Sequence, residues 1–258
     1  MMKRALINGL SLWQFELFQA NASIRHFITG RNSVYGGKEF TLSFSSSPDR
    51  GETERNRTML ASAMGIKESE LYIPRQVHEA RVLHVTRLTA KDELTATDAL
   101  ITDEKGICIA VMSADCVTIL LHDRKNRAIG AVHAGWRGTV AKILEKTLQE
   151  MYAKFGTRGE DVTAGIGPSI CQQSYEVGEE VIQAINNAFG KDSGLMITQP
   201  GNKAKLDLWK ANKLQLLQFG VRESDIEISG LCTLKNNDHF FSARKGDAGR
   251  FAAGIMLI

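Results

Sequence analysis

Three stretches of the chain each set a possible metal donor at the edge of an apolar run: IPRQVHEARV with His78, VMSADCVTILL with Cys116, and GAVHAGWRG with His133. Imidazole nitrogen and thiolate sulfur are donors that zinc prefers, and three protein donors with an open fourth position are the layout of a catalytic centre. Copper accepts the same donors. His78 and Cys116 are 38 residues apart, and Cys116 and His133 are 17 apart. That spacing matches no compact finger or zincin motif, and taken singly each residue also reads as a core side chain. Cys116 with His133 has a further reading, as the nucleophile and base of a hydrolase.

Polar neighbours sharpen these readings. Asp115 precedes Cys116 and is placed to hold a ligating histidine in one tautomer, as carboxylates behind metal sites do; its alternative is a turn aspartate between two strands. Gln76 points to the same side as His78 if the segment is extended, or bonds to backbone. In HAGWRG, Gly135 and Gly138 permit close backbone approach, a helix is expected to follow, and Arg137 is a bidentate anion donor; the alternative is a surface arginine. Arg244 and Arg250 in FSARKGDAGR are candidate phosphate contacts or a solvated turn. AGIGPSIC lacks the third glycine of a dinucleotide fingerprint and reads as a tight turn. Cys171 within it has no local base and reads as a buried thiol. His26, in ASIRHFIT, reads as structural.

The elements that must position these groups follow from periodicity. ICIAVMSA (107–114), VTILLH (117–122) and AIGAVH (128–133) are short apolar strands, and the DRKN turn predicts an antiparallel hairpin between the last two. Val140, Ile143, Leu144, Leu148, Met151, Tyr152 and Phe155 share one face of a helix expected from residue 139 and closed by Gly156. Gly65 stops an earlier helix whose apolar residues are Met59, Leu60 and Met64. Strands are expected at 161–166, 225–229 and the C-terminal FAAGIMLI, and helices near 177–189 and 208–219, the latter capped by Asp207. Residues 40–48, FTLSFSSSP, read as a loop. Interleaved helices and locally paired strands imply an α/β (α+β) fold with mixed, partly antiparallel sheets flanked by helices, in one domain over 1–258.

Composition excludes several classes. The 258 residues carry 32 basic and 29 acidic side chains, with no long run of one sign, so no nucleic-acid arm or membrane patch is expected. No stretch approaches the roughly 18 apolar residues of a membrane helix, and the N-terminus has no clean signal-peptide core. Four widely spaced cysteines read as free thiols of a cytoplasmic protein. There is no Walker loop, G-x-S-x-G elbow or zinc-deaminase signature.

RQVH, TDALIT, SADC, HAGWRGTVAKI, GIGPSICQQSYEVG and CT…FFSARKGDAGR, in this order, resemble the bacterial YfiH family, also called the laccase-domain or multicopper polyphenol oxidoreductase family. The likeness runs from about residue 56 to the end. It implies a mononuclear site, usually zinc, held by His78, Cys116 and His133, with Arg57, of the Asn56-Arg57 pair, and Gln76 in the pocket. It also implies small-molecule substrates: phosphorolysis of adenosine, inosine, guanosine and methylthioadenosine, and adenosine deamination. In that reading phosphate is held by Arg137 or another arginine such as Arg244, and Asp115 relays a proton to the departing base. Copper-dependent polyphenol oxidation and editing of peptidoglycan precursors are the family's other associations. Four-electron oxygen reduction needs several coppers, whereas six histidines in all leave few beyond one mononuclear site. Where the family usually has a Gly-Gly-Val-Ser loop and a later Asn-Leu-Gly, this chain reads NSVYGGKEFTLSFSSS, without a clear Asn-Leu-Gly.

Overall fold

Apolar runs without polar alternation must be covered on both faces, and two stacked sheets provide that cover. The computed structural model describes residues 2–34, 39–46 and 49–258. In chain order the strands are β1 (Lys3–Ile7), β2 (Leu10–Gln14), β3 (Ile24–Ile28), β4 (Leu71–Tyr72), β5 (Val82–His84), β6 (Ala99–Thr102), β7 (Cys108–Ser113) and β8 (Val117–Asp123). They continue with β9 (Ala128–Ala134), β10 (Val162–Ile166), β11 (Glu176–Val177), β12 (Met196–Gln199), β13 (Lys203–Leu206), β14 (Ile226–Ile228) and β15 (Phe251–Leu257). The helices are α1 (Glu16–Gln19), α2 (Arg50–Met64), α3 (Trp136–Val140), α4 (Ile143–Phe155), α5 (Glu179–Phe189) and α6 (Leu208–Gln218).

The first sheet runs β1-β2-β3-β15-β7-β4 and the second β14-β10-β8-β9-β6-β5, with a small third sheet β11-β13-β12. Parallel pairs (β4 with β7, β5 with β6, β10 with β14) sit among antiparallel ones, so the fold is a mixed α/β arrangement as expected. Side-chain alternation sets the layers. Leu100, Leu120, Ile129 and Ala131 of the second sheet meet Ile109, Val111, Phe251 and Ile255 of the first. Ala99, Ile101, Ile119 and Leu121, on the opposite face, pack under Leu144, Leu148 and Met151 of α4 and Leu216 of α6. Beyond the first sheet, Leu60, Ala63 and Met64 of α2 cover Leu12, Phe27 and Ala110.

The expected hairpin is present: β8 pairs β9 from Val117↔Ala134 to Asp123↔Ala128. Its turn is closed by Asp123, whose Oδ1 accepts the N–H groups of Lys125 and Asn126, each at 2.9 Å. Gly65 caps α2 in the left-handed conformation, and the Asp207 carboxylate accepts from Lys210 N–H at 2.9 Å at the start of α6. His26 is buried, and its Nε2 accepts the Phe15 N–H at 2.8 Å. Two expectations need correction. Tyr152, expected on the apolar face of the helix that Gly156 closes, is exposed. The helix expected from residue 139 is two: α3 begins earlier, at Trp136, and Lys142 in the left-handed region (φ 59°) breaks the path before α4. The divergent loop falls partly outside the described residues, at 35–38 and 47–48.

Candidate metal centre and pocket

Three connections meet at one end of the sheets. His78 lies between β4 and β5, Cys116 between β7 and β8, and His133 is the next-to-last residue of β9, opposite Thr118. Their donor atoms lie within 4.8 Å of one another, and the two imidazole rings meet edge to face with centroids 4.8 Å apart. A tetrahedral zinc would need donor separations of roughly 3.3–3.8 Å from bond lengths of about 2.0–2.3 Å, so small side-chain rotations bring this donor set into range.

Asp98, fully buried just before β6, explains how the histidines are held. His78 takes a positive φ of 64°, uncommon for a residue with a side chain. That conformation turns successive N–H groups of Val77, His78 and Glu79 toward one carboxylate, at 3.0, 3.0 and 3.1 Å, an anion-holding concavity made of backbone. Asp98 Oδ1 also meets His133 Nδ1 at 2.8 Å, and its carbonyl accepts the His133 N–H at 2.8 Å. With Nδ1 engaged, Nε2 is the free donor of His133. Burial works against the Asp98 charge, but the His133 ring and the backbone donors outweigh it and hold the carboxyl below its usual range.

Cys116 and His133 stabilise each other's charged forms. Burial alone would push the Cys116 thiol up, yet attraction to His133 and hydrogen bonds from both histidines bring it well down. Burial likewise disfavours a charged His133, but Cys116 and Asp98 raise its pKa. Lowered thiols are the ones that bind metals and act as nucleophiles. Cys108, buried without such partners, is pushed up to about 12. The turn after β9 is cut to this cluster. A Cβ on Gly135 would lie 2.9 Å from Cys116 Sγ and 3.3 Å from His78 Cδ2, while its backbone φ is ordinary, so lack of space demands the glycine there.

Asp115 does not hold a histidine, as sequence reasoning had it; Asp98 does. Asp115 also has positive φ (93°), and its carboxylate is filled by Thr233 Oγ1 at 2.6 Å, Ser242 Oγ at 3.0 Å and the Arg244 N–H at 2.7 Å. It thereby ties the ADC turn to two C-terminal segments, one of which, through Ala243 and Arg244, lines the pocket.

That pocket has a volume of about 1090 Å³, with the His-Cys-His cluster in its wall. Five arginines line it: Arg50, Arg57, Arg75, Arg244 and Arg250. Arg57 donates from Nε and Nη2 to the Leu42 carbonyl at 2.9 and 2.8 Å and lies over the Phe44 ring at 4.3 Å. Arg244 reaches the Glu176 carbonyl at 3.3 Å, and Arg250 donates to the Gly249 carbonyl at 2.7 Å. Gln76 lines the pocket too, but its amide is paired with backbone: Nε2 donates to Met112 O and Oε1 accepts Met112 N–H, both at 2.8 Å. Arg137 lies apart from the lining; it is exposed, stacks on Trp136 at 4.3 Å and faces Glu180 at 3.7 Å. Five-residue α3 offers little helix end to reinforce it. Cys171 is buried beside Cys232, whose Sγ accepts its N–H at 3.3 Å.

Sequence reasoning missed Asp98 and Tyr175. The signal for Asp98 was a buried-strand aspartate, TD before ALIT; Tyr175, in the pocket wall, offered none beyond its place in SYEVG.

Comparison with known proteins fits this geometry. A purine nucleoside phosphorylase of Bacteroides thetaiotaomicron is 41% identical over 257 residues, covering 94% of this chain and 95% of that one. Adenosine deaminase RL5, from an unknown prokaryotic organism, is 37% identical over 209 residues, covering 77% and 79%. Among solved structures, the Bacillus licheniformis hypothetical protein YfiH superposes with a TM-score of 0.89 at 25% identity over 99% of both chains. YlmD of Geobacillus stearothermophilus does so with a TM-score of 0.86 at 29% identity over 96% of both. The profile described as multi-copper polyphenol oxidoreductase laccase matches residues 25–258, and the chain belongs to that family.

Proposed function

We propose that the chain is a zinc-dependent purine nucleoside phosphorylase that also deaminates adenosine. The observation that carries this is the His78–Cys116–His133 cluster set in the wall of an arginine-lined pocket large enough for a nucleoside and phosphate. The relatives named purine nucleoside phosphorylase and adenosine deaminase support it. When bound, zinc supplies a Lewis-acidic centre and water of lowered pKa. The chain's own residues do the rest. Asp98 fixes the His133 ring with Nε2 toward Cys116, and burial keeps bulk water from His133. Arg57, Arg75 and Arg244 are assigned to the phosphate, whose negative charge their guanidinium groups match. In phosphorolysis a phosphate oxygen bonds to ribose C1′ while the C1′–N9 bond breaks and its electron pair passes to the purine. Asp115, its oxygens already occupied, is assigned a positioning role rather than a proton relay. We assign the chain to the cytoplasm, a reading its four free thiols support. Among the described residues no helix is long and apolar enough to cross a membrane.

The test is product analysis by liquid chromatography after incubating protein of known metal content with adenosine, with and without phosphate. Phosphate-dependent adenine and ribose 1-phosphate identify the phosphorylase, and phosphate-independent inosine the deaminase. Neither product at one zinc per chain would overturn the reading. The lowered Cys116 thiol beside His133 favours one second reading, a Cys-His hydrolase acting on amides such as peptidoglycan fragments. A covalent adduct on Cys116 in metal-free, substrate-treated protein would establish it, and copper-loaded protein tested against a phenol would decide polyphenol oxidation.

A further inference from the structure

Tyr175 stands in the pocket wall with His78, Cys116 and His133, and among the described residues none pairs with its hydroxyl. Its backbone is fixed on both sides: the N–H donates to Gln172 O at 3.2 Å, and the carbonyl accepts Leu206 N–H at 3.0 Å. Its ring packs against two hydrophobic clusters, one of them the Ile170–Cys171–Cys232 group, and the Arg244 guanidinium lies 5.4 Å from the ring centre. The side chain is therefore set in place before any ligand arrives. A largely buried phenol normally finds a hydrogen-bond partner. The Tyr175 hydroxyl has none among the described residues, nor is it among the enclosed polar atoms left unpaired, so it opens to the pocket. Burial first, and then the negative charge of nearby Cys116, push its pKa up to about 12, which keeps the phenol a donor throughout the working range.

We propose that Tyr175 is a substrate-contacting residue whose hydroxyl donates a hydrogen bond to a purine ring nitrogen flanking C6. The inference rests on the nucleoside reading above. Adenosine deamination requires C6 to sit at the His-Cys-His cluster, and a donor beside Cys116 then faces the edge on either side of C6. N1 and N7 of adenosine carry no hydrogen and only accept, which matches a phenol that only donates there. The phosphate, by contrast, is better matched by the arginines than by a phenol flanked by Cys116 and Asp115. The hydroxyl keeps its proton throughout; no group is transferred.

The experiment uses zinc-loaded wild type and Tyr175→Phe, which removes the oxygen and keeps the ring. Zinc content and melting temperature are measured first and are expected to match. Then kcat and KM for adenosine, and inhibition constants of 1-deazaadenosine and 7-deazaadenosine against it, are determined for both proteins. Tyr175→Phe is expected to lower kcat/KM for adenosine about ten-fold, the scale of one lost hydrogen bond to substrate. The analogue lacking the accepted nitrogen should inhibit both proteins equally, while the other binds the variant about five- to ten-fold more weakly. Equal kcat/KM in the two proteins, or the same weakening for both analogues, overturns the role of Tyr175 while leaving the nucleoside reading intact. Loss of zinc from Tyr175→Phe also overturns it, because the residue would then support the metal centre. A wild type that converts no purine nucleoside ends both.

Discussion

Asp98 Oδ1 lies 2.8 Å from His133 Nδ1, and the same carboxylate receives the backbone N–H groups of the segment that carries His78. One buried side chain therefore sets the orientation of one candidate ligand and the backbone of another. Asp98→Asn replaces one acceptor oxygen with an NH2 group, which must face either the His133 ring or the converging N–H groups of residues 77–79. Zinc affinity, read by competition with a chelator, is expected to fall about 10- to 100-fold. The metal-free protein should lose about 2–4 kcal/mol in urea unfolding, because charge-assisted hydrogen bonds to a buried group are lost. Unchanged zinc affinity would mean that the His78 segment holds its shape without the carboxylate.

Gly135 makes a complementary case, since its constraint is volume. An alanine methyl there would meet Cys116 Sγ at 2.9 Å and the His78 ring at 3.3 Å. Gly135→Ala should weaken zinc binding at least about ten-fold while costing only about 1–3 kcal/mol of fold stability, the usual scale of overpacking. A cobalt-substituted sample would show the distortion directly, as a changed visible absorption band. A spectrum identical to wild type would show that the cluster moves aside freely.

Cys116 should also declare itself by its reactivity. In metal-free protein, iodoacetamide is expected to modify Cys116 first, because its thiol is lowered and half-buried, whereas Cys108 is buried and pushed up to about 12. One equivalent of zinc should suppress that modification, and Cys116→Ala should abolish both the adduct and stoichiometric zinc binding. Peptide mapping reads the site. Full zinc retention by Cys116→Ala would remove the sulfur from the donor set.

These relationships differ in how far the sequence reveals them. The runs 107–114, 117–122 and 128–133 read as strands because sheets buried on both faces need unbroken apolar stretches. Asp207 and Gly65 mark helix ends because capping is a local interaction, visible in a few residues. The third sheet is different. Its strands, among them Lys203–Leu206, are short and partly polar, with no period strong enough to register. The break between α3 and α4 rests on one residue, Lys142, in a conformation its type does not announce. The donors themselves stood out by chemistry, but Asp98 did not, because its role depends on β6 lying beside β9, with Ala99 opposite Val132. Adjacency of that kind is a property of strand order, and the same aspartate in another topology would simply be a turn residue.

Two histidines away from the metal cluster set the acid limit of the fold. His26 and His122 are buried, and burial lowers each pKa from 6.5 to about 4; His26 accepts the Phe15 N–H, while His122 Nε2 has no partner among the described residues. Both must be neutral in the folded state, whereas in the unfolded chain they take up protons near pH 6.5. Their contribution is therefore complete above about pH 6.5 and is lost as pH falls toward about 4, at up to about 1.4 kcal/mol per pH unit for each residue. His122→Leu should remove one of these proton uptakes and, by deleting an unpaired buried nitrogen, leave stability at pH 7 equal or higher. Urea unfolding between pH 7 and pH 4 would show the variant losing stability with roughly half the wild-type slope attributable to this pair. An unchanged slope would mean that His122 binds a proton equally well in both states.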